Sequence, residues 1–243
     1  MKNPTLEALE RRKSVRVYDP CEIPAEERSA IINAALQAPT AGNMTLYTII
    51  DVQNQVKKDA LAVLCDNQPF IAKAPLVLVF LADWQRWYDC FRLLHGDEVR
   101  KPAVGDLWLS AMDAIIAAQN SVVAAESLGI GSCYIGDIIE NFDGIRETLG
   151  LPNYVAPAAM LCFGYPTEAQ KNRTKPSRFP EKLICHTDSY KSFSETELRT
   201  LIEARDGKSF ESEVNHVYSR KWSQKFMLEM TQSMKLWLKN FDN

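Results

Sequence analysis

The chain contains few histidines and no closely paired cysteines, which excludes several kinds of site. Its 243 residues include 3 histidines and 6 cysteines. The cysteines are scattered without a C-x-x-C pair, so neither a structural zinc site nor a disulfide framework is expected, and the thiols are predicted to be reduced and mostly buried. No G-x-S-x-G or P-loop motif occurs, and the histidines are too few for a hydrolytic triad. Any enzymatic reaction is thus expected to depend on a cofactor.

The chain also lacks an excess of charge of either sign. It has 28 Lys and Arg against 31 Asp and Glu, a net charge of -3. This balance provides no long-range field to attract nucleic acid or an anionic membrane, so neither partner is expected, and any anion must be held locally. The first residues lack the apolar core of a signal peptide, which predicts a cytoplasmic protein.

The longest apolar stretch, residues 107–128, is interrupted by polar side chains that include Asp113 and Glu126. Each charge near the centre of a membrane span costs about 2.5 to 3.5 kcal/mol, which favours a buried helix of a soluble protein. Small or apolar side chains cover nearly every face of this helix. It is therefore expected to lie between a sheet and either other helices or a second subunit.

Hydrophobic periodicity and helix-end residues predict an irregular alternation of helices and strands. The predicted strands are residues 46–52, 76–82, 132–135 and 158–163. The predicted helices are residues 5–12, 24–38, 55–64, 85–95, 107–128, 141–149, 195–205 and 212–241, with an extended segment at 15–18 and an irregular loop at 165–180.

The glycine-rich segment 129–136 is not a dinucleotide-binding fingerprint. Tyr134 stands where G-x-G-x-x-G requires its third glycine. The segment also follows a helix and enters a strand, so Gly129 is interpreted as the residue that ends the helix. Its glycines could bring backbone groups close to a flat ligand.

Two basic segments are the candidate anion site. The first has four cations and a serine within residues 11–16, and the second has four cations within residues 171–178. Alone, the first is better explained as a solvated helix end, where cations are favourable by about 0.3 to 1 kcal/mol. Together, the two segments could converge on one phosphate, since each charge-assisted hydrogen bond contributes about 1.5 to 3 kcal/mol.

Six short motifs follow one another along the chain: R-x-S-x-R at residues 12–16, A-P-[ST]-x-x-N at 38–43, Gln68 in an N-Q-P-F turn, A-A-E-S-L-G at 124–129 followed by Y-I-G at 134–136, G-Y-P at 164–166 and K-P-S-R-F-P at 175–180. In this order, they resemble the nitroreductase family of FMN-dependent oxidoreductases, particularly its branch of longer NADPH-using nitroreductases and flavin reductases.

The resemblance implies a set of FMN-binding residues. Around the FMN phosphate it implies Arg12, Ser14, Lys175 and Arg178, with Lys13 also among the cofactor-binding residues. It places Arg16 near the pyrimidine edge of the ring, where a cation stabilises the reduced flavin. The partner subunit would contribute Pro39, Thr40 and Asn43, Gln68 would bind ribityl or ring atoms, and Tyr134, Ile135 and Gly136 would lie along the isoalloxazine. No side chain is implied as catalytic.

The implied fold is an α+β three-layer sandwich with a mostly antiparallel sheet and an extensive homodimer interface. Residues 1–243 would form a single domain with a C-terminal helical extension at about 194–243. The implied reaction is ping-pong hydride transfer from NADPH or NADH through flavin N5 to a nitroaromatic, quinone or flavin acceptor. The alternatives are a flavin-binding or flavin-delivering protein with little turnover, and a dedicated reductase, dehalogenase- or diaphorase-like, on the same scaffold.

The sequence departs from this family pattern in two places. Residues 44–46 are M-T-L where many relatives have a Gln-Pro pair, which alters the expected acceptor pocket. No segment clearly matches the arginines that bind the NADPH 2′-phosphate in some relatives, and the candidates are Arg205, Lys208, Arg220 and Lys221.

Overall fold

A computed structural model describes residues 3–242 of the chain. The chain divides into two compact units. The main unit comprises Met1–Arg173 with Glu229–Asn243, and the helical unit comprises Thr174–Leu228.

A four-stranded sheet forms the centre of the main unit. Its strands are β1 (Tyr47–Asp51), β2 (Leu76–Asp83), β3 (Gly131–Ile135) and β4 (Val155–Gly164). The order across the sheet is β1-β2-β4-β3, and all three pairings are antiparallel. The predicted antiparallel sheet is therefore confirmed.

Both faces of the sheet are covered, as β2 shows. All eight of its residues are buried, which is typical of a strand enclosed between two layers. Because successive side chains point to opposite faces, Leu78 and Phe80 belong to one apolar core while Val77 and Val79 belong to the other.

Helices supply the two outer layers. One core contains residues of the second and sixth helices, including Ile31, Ala117 and Val122, and the other contains residues of the third, seventh and last helices, including Leu61 and Trp237. The predicted three-layer α+β sandwich is thus confirmed. The helices are α1 (Pro4–Arg11), α2 (Ala25–Leu36), α3 (Gln55–Leu64), α4 (Pro69–Lys73), α5 (Gln85–His95), α6 (Val104–Ser127), α7 (Phe142–Leu149), α8 (Glu168–Asn172), α9 (Glu181–Ile184), α10 (Glu195–Asp206), α11 (Phe210–Val217) and α12 (Lys225–Lys239).

Side-chain caps explain why several helices begin where the sequence predicted. The side chains of Asn3, Asn54 and Asn141 accept backbone N–H bonds at the starts of α1, α3 and α7. Such caps satisfy amides that have no partner within the helix. At the other end of α6, Gly129 has a φ of +75°, which confirms its interpretation as the residue that ends this helix.

The prediction of one helix over residues 212–241 is wrong. The chain forms α11, then a π-helical turn at Tyr218–Trp222, and then α12. Ser223 donates through both its N–H (2.9 Å) and its hydroxyl (3.0 Å) to the Tyr218 carbonyl. These bonds compete with the regular helical pattern and interrupt it. Sequence periodicity also missed the short helices α4, α8 and α9.

The long helix α6 is buried on one side only. Its inner face packs against the sheet and α2. Its outer face leaves the apolar side chains of Trp108, Met112, Ile115 and Ile116 exposed, at 71%, 45%, 41% and 41%. The expectation of burial on all sides is therefore not met within one chain. In the described residues α6 is also the one helix long and apolar enough to cross a membrane, although core helices have the same properties.

Candidate functional site

The segment after α1 lies along the edge of the sheet beside β3. Ser14 forms a parallel bridge with Ser132, and the Val15 N–H donates to the Ser132 carbonyl at 2.9 Å. This close approach requires glycine at position 131, since a Cβ there would lie 2.5 Å from Val15. The basic segment is thus held by backbone bonds and is not a loose helix end.

Ser14 and Arg16 lie together, whereas Lys13 points elsewhere. The Ser14 and Arg16 side chains both contact the Cys133 thiol, and they oppose the rise in its pKa that burial causes. The Lys13 ammonium instead donates to the carbonyls of Lys171 and Arg173, at 2.6 and 2.5 Å. This separation follows from the alternation of side chains along an extended segment. Contact of Lys13 with the cofactor stays a prediction, and its observed bonds hold the 171–173 loop.

Arg16 connects this segment to a second predicted element. Its guanidinium lies 5.9 Å from the centre of the Phe70 ring, a cation–π contact. The backbone N–H of Arg16 donates to the side-chain oxygen of Gln170 at 3.3 Å. Phe70 belongs to α4, which begins directly after Gln68. The fold therefore brings Arg16 and the N-Q-P-F turn together.

Gln68 in turn connects to the end of β3. Its side-chain amide donates to Asp137 at 2.6 Å and to the Cys65 carbonyl at 2.8 Å. Asp137 lies in the 3-10 turn Gly136–Ile139 that follows β3. The preceding residues Asp66 and Asn67 both have positive φ values, 61° and 51°, and such conformations often mark functional loops.

The three residues predicted along the flavin ring lie at this end of β3. Ile135 is buried, Gly136 is exposed, and the Tyr134 hydroxyl donates to Gln119 at 3.3 Å. Burial raises the pKa of Tyr134 to about 12, so its hydroxyl stays protonated at neutral pH. Ser14, Arg16, Gln68 and residues 134–136 are therefore positioned by one connected set of contacts.

Glu140, directly after the 3-10 turn that follows β3, makes the stability of the fold depend on pH. Burial raises its pKa to about 7, with further increases from Asp137, Asp66 and Glu229. The ordinary value is 4.5. The folded state therefore binds more protons than the unfolded chain between these two values, and stability falls as pH rises through this window.

We expect Glu140→Gln to stabilise the protein at pH 8 and to have little effect at pH 5. The amide removes the charge that repels the neighbouring carboxylates. With solvent screening of this partly exposed group, the gain is about 1 kcal/mol, or about 2 to 4 °C in Tm. Thermal unfolding of both proteins at the two pH values measures the difference. An equal shift at both pH values would contradict the assignment.

The loop that contains Pro39, Thr40 and Asn43 is anchored on α6. The Thr40 hydroxyl donates to the carboxylate of Asp113, which also accepts the Ala41 N–H at 3.1 Å. Pro39 and Asn43 are exposed. Sequence reasoning treated Asp113 only as an interruption of an apolar helix and missed this role. A carboxylate on the inner face of such a helix requires hydrogen-bond donors nearby. The position of Asp113 in the apolar pattern could therefore have indicated that another segment binds it.

This loop has an unfavourable backbone conformation. Gly42, Asn43 and Thr45 have φ values of 56°, 57° and 53°. The left-handed region is uncommon for non-glycine residues and is an outlier for a β-branched one; each such residue costs about 1 to 3 kcal/mol. The hydrogen bonds to Asp113 offset that cost.

The remaining predicted residues lie at the end of α1 and in the irregular segment between α8 and α9. Arg12 is the half-buried residue that ends α1, and its N–H donates to the Ala8 carbonyl at 2.9 Å. Lys175 and Arg178 belong to the helical unit, where the Arg178 guanidinium donates to the Pro176 carbonyl at 2.9 Å. The convergence of Arg12, Lys175 and Arg178 on a phosphate stays a prediction.

Within the helical unit, Arg205, one of the candidates for binding the NADPH 2′-phosphate, has partners in the same unit. Its guanidinium forms an ion pair with the buried carboxylate of Glu213 and lies 4.7 Å from the Phe179 ring centre. Lys208 also contacts Glu213, at 3.3 Å. These contacts favour a structural role for Arg205. In residues 3–242, no group of three or more His, Cys, Asp or Glu side chains could hold a metal ion. All six cysteines are free, but three of them are exposed, so the prediction that the thiols are mostly buried is wrong.

Comparison with known proteins relates this arrangement to a family. The model described as "Nitroreductase family" matches residues 9–165. The chain is 32% identical over 226 residues to an FMN reductase, NAD(P)H, of Bacillus subtilis, covering 91% of this chain and 89% of that protein. It is 31% identical over 193 residues to an oxygen-insensitive NADPH nitroreductase of Salmonella typhimurium, covering 79% and 77%. The structure of NADPH:FMN oxidoreductase from Vibrio harveyi complexed with NAD+ has a TM-score of 0.78 and 26% identity, covering 95% of this chain and 98% of that one.

Proposed function

Because the chain belongs to the nitroreductase family, we propose that it is an FMN-dependent oxidoreductase that oxidises NADPH or NADH and reduces a nitroaromatic, quinone or free flavin. The observation that carries the proposal is the contact network that joins Ser14 and Arg16 to Gln68 and to the end of β3. FMN, when bound, supplies the N5 atom that accepts and donates hydride.

The donor set fits a flavin mononucleotide. Arg12 and Ser14 offer a guanidinium and a hydroxyl for the phosphate, and charge-assisted bonds of this kind are strong. Arg16 offers a cation for the pyrimidine edge, and its contact with Phe70 fixes its direction. Gly136 is exposed at the end of β3 and leaves room for a flat ring. We propose that Lys175 and Arg178 complete the phosphate site.

We further propose that the protein acts as a homodimer. The support is the exposed apolar outer face of α6, which a second copy of this helix would bury. In such a dimer, Pro39, Thr40 and Asn43 would reach the flavin of the partner subunit. NADPH or NADH would bind and leave before the acceptor takes its place, in a ping-pong reaction. We propose that the protein is cytoplasmic, and the balanced charge of the chain supports the absence of nucleic-acid and membrane partners.

We expect the purified protein to be yellow and to lose this colour when NADPH or NADH is added without oxygen. Addition of a nitroaromatic or quinone should restore the colour within one turnover, because the reduced flavin passes hydride to the acceptor. Visible absorbance near the flavin band follows both steps, and separate titrations with the two nicotinamides measure the preference. A colourless protein that does not take up FMN would refute the proposal, whereas bound flavin that neither nicotinamide reduces would indicate a flavin-delivering protein.

A further inference from the structure

Asp113 is a buried carboxylate whose hydrogen bonds all serve one loop. It is 4% exposed. Its oxygens accept from the Thr40 hydroxyl, from the Ala41 N–H at 3.1 and 3.2 Å, and from the Leu46 N–H at 3.4 Å. A buried charge of this kind is tolerated only where donors surround it. The donors come from both ends of residues 40–46, so one side chain fixes the whole loop.

A hydrogen bond within the loop connects Thr45 to the residue that contacts Asp113. The Thr45 N–H donates to the Thr40 hydroxyl oxygen at 2.8 Å, while the same hydroxyl donates to Asp113. Thr40 therefore connects the carboxylate to Thr45, one of the residues with positive φ. This chain of bonds favours one conformation of the exposed Gly42 and Asn43 between them.

The position of Asp113 on α6 relates the loop to the proposed dimer face. Met112 and Ile116, one and three residues away, belong to the exposed apolar face of the same helix. Asp113 itself points inward. The loop is thus anchored to the helix that would contact the second copy, so its tip has a fixed position relative to that copy.

We propose that Asp113 is a positioning residue for the flavin site of the partner subunit, acting through Thr40 and the backbone of residues 40–46. This inference rests on the proposed function, because it requires FMN and a dimer. Asp113 does not touch the flavin in this scheme. It holds Thr40 and Asn43 where the partner's flavin meets them.

The first test is Asp113→Asn, which keeps the shape of the side chain. An amide has one acceptor oxygen and directs its NH2 group at a donor that the carboxylate accepted. We expect FMN affinity to fall about 10- to 100-fold while the protein stays dimeric. Thr40→Val, which removes the hydroxyl that joins Asp113 to Thr45, should also lower FMN affinity.

A matched control is Asp106→Asn on the same helix. Asp106 accepts from the Ala103 N–H at 2.8 Å and pairs with Arg100 at the start of α6, away from the loop. The Asp106→Asn variant should change the thermal stability of the protein without changing its FMN affinity. An FMN affinity of Asp113→Asn within twofold of the unmodified protein would overturn the proposal, and so would equal losses in the two aspartate variants.

Mixed dimers decide whether the loop serves the partner. Asp113→Asn is co-expressed with Arg12→Ala/Arg178→Ala under a second affinity tag, and doubly tagged dimers are isolated. If the loop acts on the partner, the site in the Asp113→Asn subunit has intact arginines and receives the intact loop of the other subunit. The site in the Arg12→Ala/Arg178→Ala subunit then has both defects, so one FMN binds per dimer with unmodified affinity. If the loop serves its own subunit, both sites are defective and no such binding occurs, which would overturn the proposal. Failure of the unmodified protein to bind FMN would instead refute the proposed function itself.

Discussion

Replacing Arg12 and Arg178 together with alanine is expected to weaken FMN binding by roughly 10²- to 10⁴-fold. Each charge-assisted hydrogen bond to the phosphate contributes about 1.5 to 3 kcal/mol, and the two losses act on one ligand group. Neither residue lies in the apolar cores of the chain, so the fold should be retained. Fluorescence titration with FMN gives the affinity, and size-exclusion chromatography checks that the protein is still folded.

The matched control for this experiment is Arg11→Ala. Arg11 is exposed and its guanidinium lies 3.4 Å from the Glu126 carboxylate, a surface pair that contributes about 0 to 1 kcal/mol. FMN affinity should therefore stay within about twofold of the unmodified value, a change far smaller than one phosphate contact gives. Full retention of FMN by the double variant would show that the basic segments do not bind the phosphate.

Much of the fold could be predicted because local signals agree with the tertiary structure. The bounds of α3 and α5 match the predicted residues 55–64 and 85–95. The four strands lie where runs of β-branched and large apolar residues predicted them. In these regions the apolar periodicity, the helix caps and the burial all favour the same element.

The C-terminal helices were predicted less well because local hydrogen bonds compete with the regular helical pattern and determine where a helix ends. Periodicity indicates helix throughout residues 212–241, and most of these residues are helical. The interruption depends on hydrogen bonds from Ser223 and Gln224 to the carbonyls of Tyr218 and Ser219. Such side-chain bonds are individually weak signals in a sequence, and only the folded geometry shows which of them form.

The candidate site shows the same limit for side-chain direction. Sequence patterns identified residues 12–16 as a unit, but they could not show that Lys13 bonds the 171–173 loop while Ser14 and Arg16 face Cys133. The direction depends on the backbone bond between Val15 and Ser132, which joins residues far apart in sequence. The role of Asp113 was missed for the same reason.

Introducing charge on the outer face of α6 is expected to separate the proposed dimer. In Met112→Asp/Ile116→Asp, the new carboxylates are solvated in the single chain, because both positions are exposed there. In a dimer they would be buried without partners, and an uncompensated buried charge costs several kcal/mol. The dimer dissociation constant should rise by at least about 10²-fold, as measured by analytical ultracentrifugation.

The same variant should lose FMN even though its own phosphate-binding residues are unchanged. A site completed by Thr40 and Asn43 of the second copy is incomplete in a monomer, so flavin occupancy should follow the dimer fraction as protein concentration increases. Val56→Asp/Val63→Asp is the matched control, since these exposed residues lie on α3, across the sheet from α6. It should stay dimeric and yellow. A monomeric Met112→Asp/Ile116→Asp protein with full FMN affinity would show that each flavin site is built within one chain, and the positioning role of Asp113 toward the partner would fail with it.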